Sequence, residues 1–313
     1  MKEKENNLLH LSFGFILVIV ATGAAIFIFY STQAETRGNA IVNVLNSPPK
    51  IDNLYLSKTP WTTVNDFENG IDLTSGAKTP IYINGSVSDD NGIQDLKAME
   101  VIFFRKEAVV NNHCKEDKNN CYYVTCSLKQ YFENTMLFSC FINLEFYTDA
   151  TDRNGRFPED YWVAQVKAMD EQIASYASKK TEVNTLMAVK YTSFIDYGNL
   201  KAGETTNADN NFEMVFTQRG NNELKIQVAG REMECLQSGN IPITNQKWSL
   251  IDAGFESGQS LSTEYSDINI NVPYRENDLA EENRIIYWDI SIPQNAAGHC
   301  SGLNDILITD YNH

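Results

Sequence analysis

A short acidic turn offers the clearest candidate for cation chemistry in the sequence. Asp89, Asn91 and Asp95 stand in the pattern D-x-N-G-x-x-D, which places oxygen-bearing side chains around a glycine. Carboxylate and amide oxygens are ligands that Ca²⁺ accepts, so the pattern predicts a calcium site. A complete EF-hand loop would continue to a glutamate that is missing here. The alternative is a β-turn whose Asp and Asn side chains bond to backbone N–H groups.

The six cysteines form the second set of reactive groups, and all of them follow a long apolar segment near the N-terminus. An even number on one side of such a segment indicates disulfides formed in an oxidising compartment. Zinc and free thiols are the alternatives, but the spacings do not match the C-x2-4-C pairs of structural zinc sites. Position along the chain predicts the pairs Cys114–Cys121, Cys126–Cys140 and Cys235–Cys300.

Two tryptophans are candidate platforms for a sugar or a protein partner. Trp61 follows a proline in a loop-like stretch, and Trp248 also lies outside the clearest strand patterns. The alternative for both is ordinary packing in a hydrophobic core. Trp162 and Trp288 differ from them, because the alternating pattern around each predicts a buried position in a strand.

No set of residues supports catalysis, so we expect a protein that is not an enzyme. The sequence has no G-x-S-x-G nucleophile motif, phosphate loop or dinucleotide fingerprint. Nothing among its 41 Asp and Glu residues singles out a pair suited to glycoside hydrolysis. The formal net charge of −16 argues against nucleic acid as a partner. We expect no cofactor apart from the calcium candidate.

The apolar segment Leu11–Tyr30 predicts a transmembrane helix and makes the lipid bilayer the first expected partner. Its twenty residues contain no charge, and a helix of that length spans the roughly 30 Å hydrocarbon layer. A weak excess of positive charge before it places residues 1–10 in the cytoplasm as a leader. Residues 31–47 then form a stalk. The alternative is a secreted protein, cleaved near Ala34.

Beyond the stalk the hydrophobic pattern has period two, which is typical of strands. Ile81, Ile83 and Val87 alternate with polar residues, and Asx-Gly turn signals separate this run from the next ones. We therefore predict an all-β protein with two antiparallel β-sandwich domains after the N-terminal transmembrane helix. The first domain covers residues 48–170 and the second covers 185–313. The charged, small-residue stretch 171–184 is predicted to be a linker.

Several runs resemble immunoglobulin-like domains of uncharacterised prokaryotic membrane-anchored surface proteins. The runs IYINGSVSDDNGIQDLKAMEVIFFR and YTDATDRNGRFPEDYWVAQVKAMD carry this resemblance in the first half of the chain. In the second half it is carried by YTSFIDYGNLKAGETT and IIYWDISIPQNAAGHCSG. The resemblance implies an immunoglobulin-like fold for both domains. It implies no activity, because such scaffolds carry many functions.

Together these patterns predict a single-pass membrane protein that presents a disulfide-supported ectodomain outside the cytoplasm. Its expected role is non-catalytic, in adhesion, envelope structure or binding of an unidentified surface protein or glycan. The first alternative is a subunit of a pilus-like or secretion-type assembly. The second is an exported carbohydrate-active enzyme.

Overall fold

The computed structural model describes residues 41–109, 114–277 and 281–311. In these ranges the chain is all β, with four short 3-10 turns and no α-helix. The described part therefore contains no helix long and apolar enough to cross a membrane. The predicted leader, the predicted membrane segment Leu11–Tyr30 and most of the predicted stalk lie outside these ranges. From Asn46 onward the described residues form one compact unit.

Seven antiparallel strands form the first sheet, in the order β1-β2-β5-β4-β3-β6-β7. They are β1 (Lys50–Ser57), β2 (Thr79–Ser88), β3 (Ala98–Arg105), β4 (Cys121–Phe132), β5 (Thr135–Leu144), β6 (Trp162–Met169) and β7 (Ala174–Thr181). Short 3-10 turns at Ile93–Asp95 and Lys106–Ala108 flank β3. Residues 121–125 of β4 pair with β3, whereas residues 126–132 pair with β5. One strand thus belongs to both halves of the sheet.

The two halves of this sheet enclose one hydrophobic core. Ile81 and Ile83 on β2 are fully buried, as their alternating pattern predicts, and they belong to the same cluster as Phe103 on β3. Trp162 on β6 joins this cluster with its ring 4.9 Å from that of Phe103. The predicted core position of Trp162 is therefore confirmed.

The prediction of a linker over residues 171–184 is wrong. Eight of these residues form β7, which pairs with β6 along its whole length, from Met169 opposite Ala174 to Trp162 opposite Thr181. The stretch is charged and rich in small residues because β7 lies at the edge of the sheet with one face in solvent. The first β-region therefore extends beyond residue 170, the end predicted from the sequence.

The second half of the chain contains eleven further strands in its described residues. They are β8 (Val189–Lys190), β9 (Phe212–Gln218), β10 (Leu224–Gly230), β11 (Met233–Cys235), β12 (Asn240–Ile241), β13 (Gln246–Ser249), β14 (Gln259–Ser260), β15 (Ser266–Val272), β16 (Asn283–Ile290), β17 (Cys300–Ser301) and β18 (Asn304–Asp310). They form sheets in the orders β14-β13-β16-β9-β8, β15-β10-β18 and β12-β11-β17. The 3-10 turns Ile243–Asn245 and Phe255–Ser257 flank β13 and β14.

A second hydrophobic core lies between the five-stranded sheet and the sheet β15-β10-β18. Trp288 on β16 is completely buried there, as predicted. Trp248 on β13 lies opposite it in the strand register, and its side chain is only 3% exposed. Trp248 is thus a core residue, and the prediction that it forms a binding platform is wrong. The short strand β13 places its side chain inward, a position that the weak local pattern did not reveal.

The Asn221 side chain joins the two β-regions (residues 50–181 and 189–310), and Gly220 packs closely against the segment between them. Asn221 accepts a hydrogen bond from the Leu186 N–H at 2.7 Å and donates one to the Thr148 carbonyl at 2.9 Å. A Cβ atom on Gly220 would lie 2.0 Å from the Leu186 carbonyl oxygen. Only glycine fits there, because any side chain would push the two backbones apart.

Candidate functional site

All three predicted disulfide pairings are confirmed. Cys126 and Cys140 occupy directly opposed positions on β4 and β5. Cys235 and Cys300 do the same on β11 and β17, although 65 positions separate them in the chain. Cys114–Cys121 closes the loop before β4. No cysteine in the described residues is free.

The Asp89 turn has the hydrogen bonds of an Asx turn. Asp89 Oδ1 accepts the Asn91 N–H at 2.8 Å, and Gly92 has φ +111°, a conformation that favours glycine. Asn91 Oδ1 is also occupied, because it accepts the Ser47 N–H at 2.6 Å. Asp95, the third predicted ligand, lies in the following 3-10 turn. The described ranges contain no group of three or more His, Cys, Asp and Glu side chains placed to hold a metal.

The β-turn alternative to calcium binding at Asp89 has a direct test. Because Asp89 and Asn91 already bond to backbone N–H groups, we expect no change in the melting temperature of the protein between 2 mM EGTA and about 2 mM excess Ca²⁺. The measurement is thermal melting followed by tryptophan fluorescence. A rise in melting temperature with Ca²⁺ that is absent in Asp89→Asn would instead assign the turn to a cation.

The end of the predicted stalk is attached to the first β-region by two loops. Asn91 holds the Ser47 backbone, and Asp170 Oδ2 accepts a hydrogen bond from Asn46 Nδ2 at 2.9 Å. Asp170 Oδ1 also accepts the N–H groups of Ile173 and Gln172, which hold the pKa of this carboxyl below its usual range. The chain therefore enters β1 from a fixed point.

Trp61, the other predicted platform, lies at the surface in a strained conformation. Its side chain is 42% exposed, and its backbone has φ +60°, which is unfavourable for a bulky residue. The Trp61 N–H donates to Asn84 Oδ1 at 2.9 Å. Asn84 is 2% exposed and also donates to Ser57 Oγ and the Thr59 carbonyl. One buried amide thus holds the whole loop in place.

Two further aromatic residues share the sheet face on which Trp61 is held. Tyr82 precedes Asn84 by two positions on β2, so both point to the same side of the sheet. Its ring centroid lies 5.2 Å from that of Phe141 on β5, which is 45% exposed. Backbone strain held by surrounding contacts is a feature of binding sites. We call Trp61, Tyr82 and Phe141 the aromatic face.

Asn84→Ala is expected to lower the free energy of unfolding by about 2–3 kcal/mol, since it removes three buried or part-buried hydrogen bonds and leaves the Trp61 N–H without its partner. Urea unfolding provides the measurement, and the matched control is Asn69→Ala, at an exposed position. A loss for Asn84→Ala no larger than that of the control would contradict this account of the loop.

A buried ionic network, which no local sequence pattern predicts, lies at one end of the first β-region. The Arg105 guanidinium makes ion pairs with Asp160 at 2.7 Å and Asp149 at 3.3 Å. It also donates to Asn120 Oδ1 and lies 3.6 Å from the centre of the Phe157 ring. A buried arginine is hard to predict, because the hydrophobic pattern of β3 carries no sign of its partners on other loops.

Burial raises the pKa of the Asp149 carboxyl from 3.8 to about 6, although Arg105 and Arg156 oppose this change. The folded state therefore binds the proton more tightly than the unfolded chain does. Tighter proton binding by Asp149 stabilises the folded state fully below about pH 4, and this stabilisation is lost as the pH rises through 6. A difference of about two pH units corresponds to about 3 kcal/mol.

We expect Asp149→Asn to remove this pH dependence. The free energy of unfolding of wild type minus that of Asp149→Asn should decrease as the pH rises from 4 to 7. Urea titrations at several pH values measure it, with the exposed residue Asp209 changed to Asn as the control. Parallel pH profiles for wild type and Asp149→Asn would contradict the assignment.

Comparisons with known proteins give no family for this chain. No protein-family model and no curated protein matches it. Among solved structures it is similar to a chain from a chaperone–tip adhesin complex of CFA/I fimbriae, at 11% identity and a TM-score of 0.28, covering 85% of this chain and 91% of the other. A chimeric titin Z1Z2 tandem matches at 14% identity and a TM-score of 0.18, and the match covers 83% of this chain and 96% of the tandem. Scores this low carry no argument about fold or function.

Proposed function

We propose that this chain is a single-pass membrane protein with a non-catalytic, adhesive or structural role outside the cytoplasm. The observation that carries the proposal is the set of three disulfides, which follow the apolar segment in the sequence and pair every described cysteine. Disulfides persist in oxidising compartments and are rare in the cytosol. The apolar segment Leu11–Tyr30 supplies the anchor in this proposal.

In this proposal the ectodomain consists of two immunoglobulin-like sandwiches. Two separate hydrophobic cores support the division, one inside the seven-stranded sheet and one between the sheets of the second region. The antiparallel pairing throughout the named sheets is the pairing such sandwiches use. In this proposal the hydrogen bond from Asn221 to the Thr148 carbonyl links the two sandwiches.

The aromatic face is the proposed contact surface for a surface protein or a glycan. Exposed aromatic rings bind both sugars and protein side chains, and Trp is enriched among residues that dominate binding energy. The Asn84 hydrogen bonds hold Trp61 in place before a partner arrives. Holding a side chain in its bound position lowers the entropy cost of association.

Topology and disulfide state can be tested together in native membranes. Whole cells are treated with a membrane-impermeant lysine reagent, and the purified full chain is then mapped by non-reducing peptide analysis. The proposal expects labelled ectodomain lysines and the Cys235–Cys300 pair in the map. Free thiols together with unlabelled lysines would contradict export. Loss of the apolar segment from the mature chain would replace the anchored form by a secreted one.

The contact role is tested by adhesion of cells that display the full chain. Trp61→Gly removes the ring and also relieves the positive φ, and thermal melting of the variant separates a loss of adhesion from a loss of folding. The control is Tyr265→Ala, an exposed aromatic residue of the second region. Adhesion that survives Trp61→Gly would contradict the aromatic face as the contact surface. Large complexes that require the chain's own anchor would favour the pilus-like or secretion-type alternative.

A further inference from the structure

A cleft of about 470 Å³ lies at the junction of the two β-regions. One wall comes from the loop before β6 and contains Arg153, Asn154 and Arg156. The other wall consists of Asn222 and Glu223, just before β10, and Asp310 at the end of β18. This volume lies in the range of about 300–1,000 Å³ typical of small-molecule sites, which often occur between domains.

The first wall presents two guanidinium groups in a strongly acidic protein. The Arg156 guanidinium stacks 3.5 Å from the centre of the Tyr274 ring and lies 5.1 Å from that of Phe157. Stacking restricts the arginine side chain and so holds the guanidinium at a defined position. Neither Arg153 nor Arg156 takes part in a salt bridge within the described part of the chain. Both exposed arginines can therefore bind a carboxylate.

The loop that carries these arginines is held in place by the second β-region and by its own backbone. Asn222 donates to the Asn154 carbonyl across the cleft at 3.5 Å. Asp152 accepts a hydrogen bond from the Thr185 hydroxyl at 2.5 Å, which fixes the start of the loop. A Cβ atom on Gly155 would lie 2.8 Å from Ala150 backbone atoms. The arginines thus project from a defined surface.

The acidic wall decides which anions fit. Glu223 places a carboxylate opposite the arginines, and its charge repels a ligand with several phosphate or sulfate groups. Its oxygens, like the Asn154 carbonyl, are hydrogen-bond acceptors that suit hydroxyl groups. The cleft therefore favours a ligand that combines one or two carboxylates, which bind the arginines, with several hydroxyls.

We propose that this cleft binds a carboxylate-bearing saccharide, such as one or two uronic acid units of a surface polysaccharide. The carboxylate would bind Arg153 and Arg156, and the sugar hydroxyls would bind Glu223. This proposal depends neither on the aromatic face nor on the anchor. Its failure would therefore leave the proposed surface role unchanged, and the reverse also holds.

The test is calorimetric titration of the full chain in detergent with digalacturonic acid, and with a neutral digalactose as the comparison ligand. Arg156→Gln and Arg153→Gln should each weaken digalacturonate binding at least tenfold. The control variant Arg231→Gln, an exposed arginine outside the cleft, should bind as wild type does. Glu223→Gln should let the cleft accept a sulfated disaccharide that wild type rejects.

Three outcomes would overturn the proposal. The first is an affinity for digalactose equal to that for digalacturonate, since the arginines would then contribute nothing. The second is digalacturonate binding that survives both arginine substitutions. The third is tighter binding of a zwitterionic dipeptide than of digalacturonate, which would assign the cleft to a peptide terminus.

Discussion

Arg105→Met is expected to lower the free energy of unfolding by about 3–5 kcal/mol, because it leaves buried carboxylates without their cation. Asp149 and Asp160 are 3% and 7% exposed, so water cannot replace the guanidinium. The change also removes the hydrogen bond to Asn120 and the stacking on Phe157. Methionine keeps much of the volume of the side chain, so the loss arises mainly from charge.

Urea unfolding at pH 7.5 measures this effect, and tryptophan fluorescence reports it locally. The Trp162 indole N–H donates to the Asp149 carbonyl at 2.9 Å, so one fluorophore touches the network. The control is Arg231→Met at an exposed position. The triple variant with Asp149→Asn and Asp160→Asn should recover most of the loss, because no buried charge remains. An effect below about 1 kcal/mol for Arg105→Met would mean that the network is hydrated.

Removing the Cys235–Cys300 disulfide should have the other large effect. Its half-cystines are 65 positions apart in the chain. In the chain-entropy description, closing a loop of that length in the unfolded state stabilises the fold by about 4 kcal/mol. The Cys114–Cys121 bridge, with a separation of 7, should contribute only about 2 kcal/mol by the same relation.

The double variant Cys235→Ala/Cys300→Ala is therefore compared with Cys114→Ala/Cys121→Ala under the same non-reducing conditions. We expect the first to lose more stability than the second, by about 2 kcal/mol in urea unfolding. The comparison controls for the general effect of removing a disulfide from this chain. An equal loss in both variants would show that local contacts of the half-cystines outweigh the loop entropy.

The strands that alternate strictly were predictable from the sequence, because a half-buried strand must place every second side chain in the core. Ile81, Ile83 and Trp288 are buried for this reason. The disulfide pairs were also predictable, since Cys126 and Cys140 flank a hairpin whose register brings them opposite each other. For the strands and for this pair the information lies within a few neighbouring residues, whereas Cys235–Cys300, 65 positions apart, followed from grouping the cysteines by domain.

Tertiary contacts alone determined the roles of the remaining residues. The stretch of residues 174–181 reads as polar because an edge strand buries only one face, and its partner β6 supplies the pairing. Trp248 is buried because β16 places Trp288 beside it. Arg105 meets Asp149 and Asp160 from separate loops. Charge balance and cleft shape depend on residues far apart in the chain, so no local pattern encodes them.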